Sequence, residues 1–232
     1  MKIIKPYTVI ESEINSSKIL KSIERAARTC YKSEGLISED DSSAKKIVSK
    51  LIQSGHEAML EHESITIRFT CDRGVSHELV RHRVASFAQE STRYCNYGKF
   101  AFGNEITVID ISQIMKLEVG KTVIHPITKE PTVITCEMVQ SWISVWLLAM
   151  QQDEEHYMTL INDCCPAQLA RSVLSNSLKT EIVVTMNLRE IRHFFGLRCA
   201  KAAHPQMREL TIPLLAELKT IIPIIFDDIE VK

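Results

Sequence analysis

Guanidinium groups recur in this chain beside histidines, hydroxyls and amides. The segment RHRVASFAQESTRY, residues 81 to 94, brings Arg81, His82, Arg83 and Arg93 close to Ser91 and Thr92. Arg171 lies in LARSVL, and Arg189, Arg192, His193 and Arg198 lie in NLREIRHFFGLR. A planar fork of N–H donors meets phosphate oxygens or paired carbonyls two at a time, and a lysine cannot reproduce that geometry. Ser91 and Thr92 beside Arg93 make a candidate phosphate cup. Taken singly, each arginine reads as a surface salt bridge, but their joint occurrence near histidines favours a ligand site.

The whole-chain balance argues for local anion binding. Formal net charge is −1, with 28 Lys and Arg against 29 Asp and Glu. No global basic field therefore favours nucleic acid. With seven glycines and neither GxGxxG nor GxxxxGK[ST], a nucleotide here is not held by a Rossmann or P-loop turn. No stretch approaches the roughly 20 apolar residues of a membrane span, and MKIIKPYTVIES lacks the apolar run of a signal peptide. The seven cysteines, Cys30, Cys71, Cys95, Cys136, Cys164, Cys165 and Cys199, form no CxxC pair. Reduced thiols in a cytoplasm are expected.

Elements able to position these groups can be read along the chain. KIIKPYTVI reads as one edge strand. Helices are expected over SKILKSIERAARTCY, with Ile19, Leu20, Ile23, Ala26 and Ala27 on one face, and over DDSSAKKIVSKLIQSGH, with Ile47, Val48, Leu51 and Ile52 inward and Gly55 as a stop. SITIRFT alternates as a half-buried strand. A helix from Gly74, carrying Val75, Leu79 and Val80, should run into the arginine motif. Arg81, His82 and Arg83 would then diverge by about 100° each. Residues 103 to 135 read as strands with a mobile excursion. A long helix should span about 136 to 161 with Met138, Trp142, Val145, Trp146 and Ala149 inward. Pro166 opens a further helix, and IVVTM is a short strand. NLRE starts a helix capped by Asn187 with Glu190 at the third position, ending at Gly196. A last helix begins near Pro205 and is interrupted at Pro213. The expected fold class is α+β, a single domain over 1–232 with a central sheet flanked by helices.

Other candidates carry less. His56 and His62 are six apart and His77 and His82 five apart, poor spacings for a shared metal, so no metal site is expected. Cys164 and Cys165 read as one buried thiol and one incidental one. Ser91 has no recognisable His–Asp pair, which assigns it to binding.

The ordered blocks RAARTCY, GHEAMLEH, HELVRHR, the Arg-His-Arg, seven residues, Ser pattern of RHRVASFAQES, STRY, LARSVL and NLREIRHFFGLR resemble the flavin-dependent thymidylate synthases over most of the chain, most weakly over about 103 to 160. The resemblance implies a homotetramer whose active sites draw on several subunits. It implies an enzyme, a methyltransferase that converts dUMP to dTMP with methylenetetrahydrofolate as carbon donor and NADPH-reduced FAD as hydride source. It assigns FAD to Arg81, His82, Arg83, Gln89, Asn187, Arg189 and His193. It assigns dUMP to Glu78, Leu79, Val80, Arg81, Gln89, Glu90, Ser91, Thr92, Arg93, Arg198 and, from another subunit, Arg171. It implies that Arg198 is the catalytic residue, stabilising negative charge in the uracil ring so that carbon 5 becomes nucleophilic. No cysteine nucleophile, nucleic acid or membrane is implied. Ala58, Cys30, Gln89 and His193 depart from the residues of some relatives, where Ser or Thr, Ser, a carboxylate and Asn stand. The alternatives are an arginine-rich nucleotide- or RNA-binding protein without catalysis, for which a basic domain is the expected sign, and a flavoprotein of the same fold without synthase activity.

Overall fold

Pro6 has no N–H to continue a strand ladder, and it divides the expected edge strand into β1 (Lys2–Ile4) and β2 (Tyr7–Ile10). The computed structural model describes residues 1–231. Helices α1 (Ser16–Tyr31) and α2 (Ser42–Gln53) follow, then β3 (Ser64–Asp72), α3 (Arg73–Leu79) and β4 (Ala85–Gln89). Residues 103 to 135 contain β5 (Thr107–Ile109), a helix α4 (Ser112–Lys116) that the sequence reading does not include, and strands β6 (Thr122–Ile124) and β7 (Pro131–Val133). Next come α5 (Cys136–Asn162), α6 (Ala167–Ala170), β8 (Lys179–Asn187), α7 (Leu188–Arg198), α8 (Pro205–Ile221) and α9 (Pro223–Phe226). The class is α+β, with parallel and antiparallel pairings and flanking helices. Among the described residues no helix is long and apolar enough to cross a membrane.

The chain groups into two compact units. The first comprises Met1–Pro6, Cys71–Ser76 and Glu90–Thr180. Here β1 pairs in parallel with β5, β6 and β7 form an antiparallel hairpin, and α5 supplies the main core face. Thr135 caps α5 by accepting from the Met138 N–H at 3.3 Å. The buried stripe is Val139, Ile143, Trp146, Met150 and Tyr157. Val145, expected inward, is 65% exposed, because the face is centred one position away from the one expected. Tyr97, Ile106, Val108 and Leu178 pack with Trp146, Met150 and Tyr157.

The second unit comprises Tyr7–Thr70, His77–Gln89 and the chain from Glu181 onward. Its four-stranded sheet has the order β2-β3-β8-β4. Ile65, Ile67 and Phe69 of β3 and Ile182, Val184 and Met186 of β8 are buried, as are Leu20 and Ile23 of α1. Phe69 meets Phe194 of α7 edge to face at 6.0 Å, a contact worth about 0.5–1.5 kcal/mol beyond burial. β4 is an edge strand, antiparallel to β8 from Ala85↔Met186 to Gln89↔Ile182. Pro213 does not interrupt α8. One lost backbone bond is outweighed there by the buried Leu210, Leu214, Leu215 and Leu218.

Candidate functional site

Helix α3 stops at Leu79, so Arg81, His82 and Arg83 do not fan around a helix as expected. Asp72 closes the helix start by accepting from the Val75 N–H at 2.7 Å. At the other end, the Arg81 and His82 N–H groups donate to the Glu78 and Leu79 carbonyls, tightening the chain into a turn before β4. The turn produces the divergence instead. Arg81 and Arg83 are exposed, while His82 is buried. The His82 ring sits 5.0 Å from that of Phe194, edge on.

Helix α7 delivers the partner of His82. It runs through Gly196 and ends at Arg198, whereas the sequence reading stops it at Gly196. Gly196 does not take the left-handed backbone that would end a helix, so it behaves as an ordinary helical residue. Arg198 therefore sits in the last helical turn. Its Nε donates to His82 Nε2 at 3.0 Å, Nη1 to Glu78 Oε2 at 2.9 Å and Nη2 to the Glu78 carbonyl at 3.0 Å. A guanidinium has five N–H donors. Among the described residues, two are left, one on each Nη.

The same bonds fix the state of His82. Arg198 can only donate, so His82 Nε2 must be the acceptor, and the ring proton sits on Nδ1 and points at Glu190 Oε1, 2.9 Å away. Burial lowers the His82 pKa, with the Glu190 hydrogen bond opposing and Arg198 adding to the shift. His82, Glu190 and His193 could in principle converge on a cation. However, both His82 nitrogens are engaged, and Arg198 places a positive charge beside them.

On the same helix, Asn187 caps the start by accepting from the Glu190 N–H at 2.8 Å, as expected. The Glu190 carboxylate turns to His82, so only half of a capping box forms. Asn187, Arg189 and His193 line a cleft of about 540 Å³ with Val84, Glu190 and Arg192. Arg189 donates to Glu61 at 2.5 Å on the rim. Arg192 is structural, with bonds to Glu57, Asp228 and the Ile225 carbonyl.

In the first unit, Glu90 accepts from the Tyr97 hydroxyl at 2.9 Å and from Lys179 Nζ at 2.9 Å. Burial, with Glu90 alongside, raises the Tyr97 pKa. Ser91 accepts from the Arg93 N–H at 3.3 Å, and the exposed Arg93 lies over the Tyr94 ring. Arg171 follows α6 in a 3-10 turn and donates to Thr92 Oγ1 at 3.1 Å. This contact is made within one chain. Both residues line a cleft of about 570 Å³ with Arg73, Gln168, Ser172 and Asn176. Among the described residues no carboxylate lines it. Arg73 Nη1 is buried without a hydrogen-bond partner among the described residues.

These folded blocks match known proteins as well. The family model described as thymidylate synthase complementing protein matches residues 14–224. The flavin-dependent thymidylate synthase of Geobacter sulfurreducens is 34% identical over 214 residues, covering 89% of this chain and 80% of that protein. The chain belongs to the flavin-dependent thymidylate synthase family. The Pyrococcus furiosus flavin-dependent thymidylate synthase is 34% identical over 183 residues, 78% of this chain, and the match spans 64% of that protein's length. A UMP/dUMP methylase, PolB from Streptomyces cacaoi, solved with 5-Br dUMP, superposes with a TM-score of 0.76 over 98% of this chain and 96% of that one, at 20% identity. That likeness establishes the shared fold.

Against the family pattern, some expected residues lie differently from a simple contact set. Leu79 is buried, so a ligand could meet only its backbone, and Val80 is 40% exposed. Gln89 ends β4. Cys30 and Ala58 line a cavity of about 270 Å³ with Tyr31 and His56. All seven cysteines are free, and neither Cys164 nor Cys165 is fully buried. The buried thiols are Cys71 and Cys199. Glu190 as the partner of His82, and Arg73 in the acid-free cleft, were missed as site residues. The first was masked by its capping position. The second has no local signal.

Proposed function

We propose that the chain is a thymidylate synthase that methylates dUMP to dTMP, taking the carbon from methylenetetrahydrofolate and two electrons from NADPH through FAD. A transferred methylene needs those two electrons to become a methyl, so the folate leaves as tetrahydrofolate. The observation that carries the reading is Arg198, a guanidinium anchored by three N–H groups with, among the described residues, one N–H left on each Nη. Such a pair suits neighbouring polar atoms of a uracil ring and stabilises charge developing there without reorganisation. In the second unit Glu78 fixes Arg198, with Arg81 and Gln89 as further nucleotide-binding residues, and in the first unit the nucleotide-binding residues are Glu90, Ser91, Thr92, Arg93 and Arg171. The orphaned Arg73 Nη1 supports an anion in the cleft of Arg171 and Thr92.

The donor set also fits FAD. The exposed Arg81 and Arg83 suit a pyrophosphate, and Asn187, Arg189 and His193 line one open cleft with the apolar Val84. His82 contributes through burial and through Arg198, since both ring nitrogens are occupied. When bound, the flavin carries the hydride chemistry. The whole chain acts as one synthase domain, supported by a family match that runs through both units. A homotetramer fits the exposed Tyr94, Phe100, Val84 and Val145, apolar surface suited to subunit contacts. A cytoplasmic setting fits seven free thiols.

The test is to purify the protein, release its chromophore by denaturation and assay dTMP formation. FAD, a tetrameric mass and dTMP that requires dUMP, NADPH and methylenetetrahydrofolate are expected. A colourless protein that binds RNA and takes up no added FAD would overturn the reading.

A further inference from the structure

The chain from Glu190 through His82 to Arg198 uses hydrogen bonds that the nucleotide and flavin assignments do not require. Glu190 Oε1 lies 2.9 Å from His82 Nδ1, and His82 Nε2 accepts from Arg198 Nε at 3.0 Å. The imidazole is buried, with the Phe194 ring in edge contact at 5.0 Å, so no bulk water substitutes for either partner. Only one ring tautomer satisfies both ends. If Nε2 carried the proton, two donors would face each other and Arg198 would have to turn away.

We infer that Glu190 is a positioning residue that sets the orientation of the Arg198 guanidinium by holding His82 in the Nδ1–H tautomer. Its carboxylate accepts the Nδ1 proton and leaves the Nε2 lone pair aimed at Arg198. Nε is thereby tied down, and the two Glu78 bonds fix the rotation of the fork. The remaining N–H groups are thus aimed before any ligand arrives. The inference rests on the proposed role of Arg198. It assigns Glu190 no contact with substrate.

Two conservative variants separate this role from the other contribution of Glu190, a negative charge in the first turn of α7. Glu190→Gln loses the charge but keeps a carbonyl oxygen that can accept from Nδ1–H. Glu190→Asp keeps the charge but draws the acceptor back by one methylene. Turnover at saturating dUMP, the KM for dUMP, flavin content and thermal unfolding should be measured for both. We expect Glu190→Gln to turn over within a few-fold of the parent. Glu190→Asp should lose about tenfold or more in kcat, the scale for removing an orienting partner, with KM and flavin content little changed. The opposite order, a loss in both, or no loss in either would overturn the inference. In an Arg198→Ala background the Glu190→Asp loss should vanish, because the residue acts through Arg198. If Glu190→Asp still costs as much there, Glu190 acts elsewhere. If Arg198→Ala itself is near normal, the proposed role of Arg198 fails, independently of how Glu190 holds His82.

Discussion

Two arginine sites of this chain are built on opposite terms. Arg198 has three donors satisfied by its own unit, and its partner His82 is satisfied in turn by Glu190. In the cleft of the first unit, Arg171 has one bond to Thr92, and Arg73 has a buried Nη1 with no partner among the described residues. A guanidinium held at three points gives direction. A guanidinium with an unmet buried donor gives affinity, because an arriving oxyanion removes the cost of leaving that donor unpaired, on the order of 1–3 kcal/mol. On the proposed function, the difference separates a site that acts on charge as it develops from one that grips charge already present.

The comparison predicts its largest effect at Arg198. Arg198→Ala should lower dTMP turnover by about 10²–10³, the scale for one preorganised donor, while flavin content stays near that of the parent. A surface ion pair would be worth only about 0–1 kcal/mol, so a small kinetic effect would place Arg198 among ordinary surface arginines. Arg73→Ala should act on the other side of the comparison. Loss of a charge-assisted hydrogen bond costs about 1.5–3 kcal/mol, read as roughly a 10- to 100-fold rise in KM for dUMP with kcat largely kept. Deoxyuridine, which lacks the phosphate, should bind with the same affinity to parent and variant. Equal sensitivity of the two ligands would remove the phosphate from that cleft.

A smaller effect follows from the buried imidazole. Burial holds His82 below its ordinary value of 6.5 despite Glu190, with Arg198 and His193 pushing the same way as burial. The unfolded chain therefore takes up a proton at a pH where the native chain does not. This stability contribution is complete above pH 6.5 and declines as pH falls toward the lowered native value. The urea midpoint should drop on acidification from pH 7 to about 5.5, and His82→Gln should flatten part of that slope. An unchanged slope would mean that His82 takes up its proton equally in the native and unfolded chains. The smallest effect is expected at the thiols. Burial pushes Cys71 up to about 12 and raises Cys199 and Cys95, which disfavours a thiolate nucleophile. Replacing the exposed Cys30, Cys136 and Cys164 by Ser and the buried Cys71 and Cys199 by Ala should leave kcat unchanged in any variant that folds.

Local periodicity made much of this molecule legible. The buried face of α1, the alternation of β3 and the Asn187 cap of α7 depend on residues within a few positions of one another. Tertiary context decided the rest. Nothing local ends α3 at Leu79, since neither Gly nor Pro follows, and Gly196 invites a helix stop that the chain does not take. Pro213 likewise sits inside a helix held by its buried leucines. At the site, the arginines were visible as types, but their states were not. His82 and Glu190 are 108 residues apart, and His82 and Arg198 are 116 apart. Whether a guanidinium is held or left open is fixed only when such segments meet.

On the proposed function, Arg198 works as a planar group held at three points rather than as a positive charge. The direct measurement is dTMP formation at saturating dUMP by Arg198→Lys, with flavin occupancy determined in the same sample. Lysine keeps the charge but cannot offer the fork or its paired free donors. Arg198→Lys is expected to fall with Arg198→Ala, about 10²–10³ below the parent, at full flavin occupancy. Turnover of the lysine variant within a few-fold of the parent would contradict it.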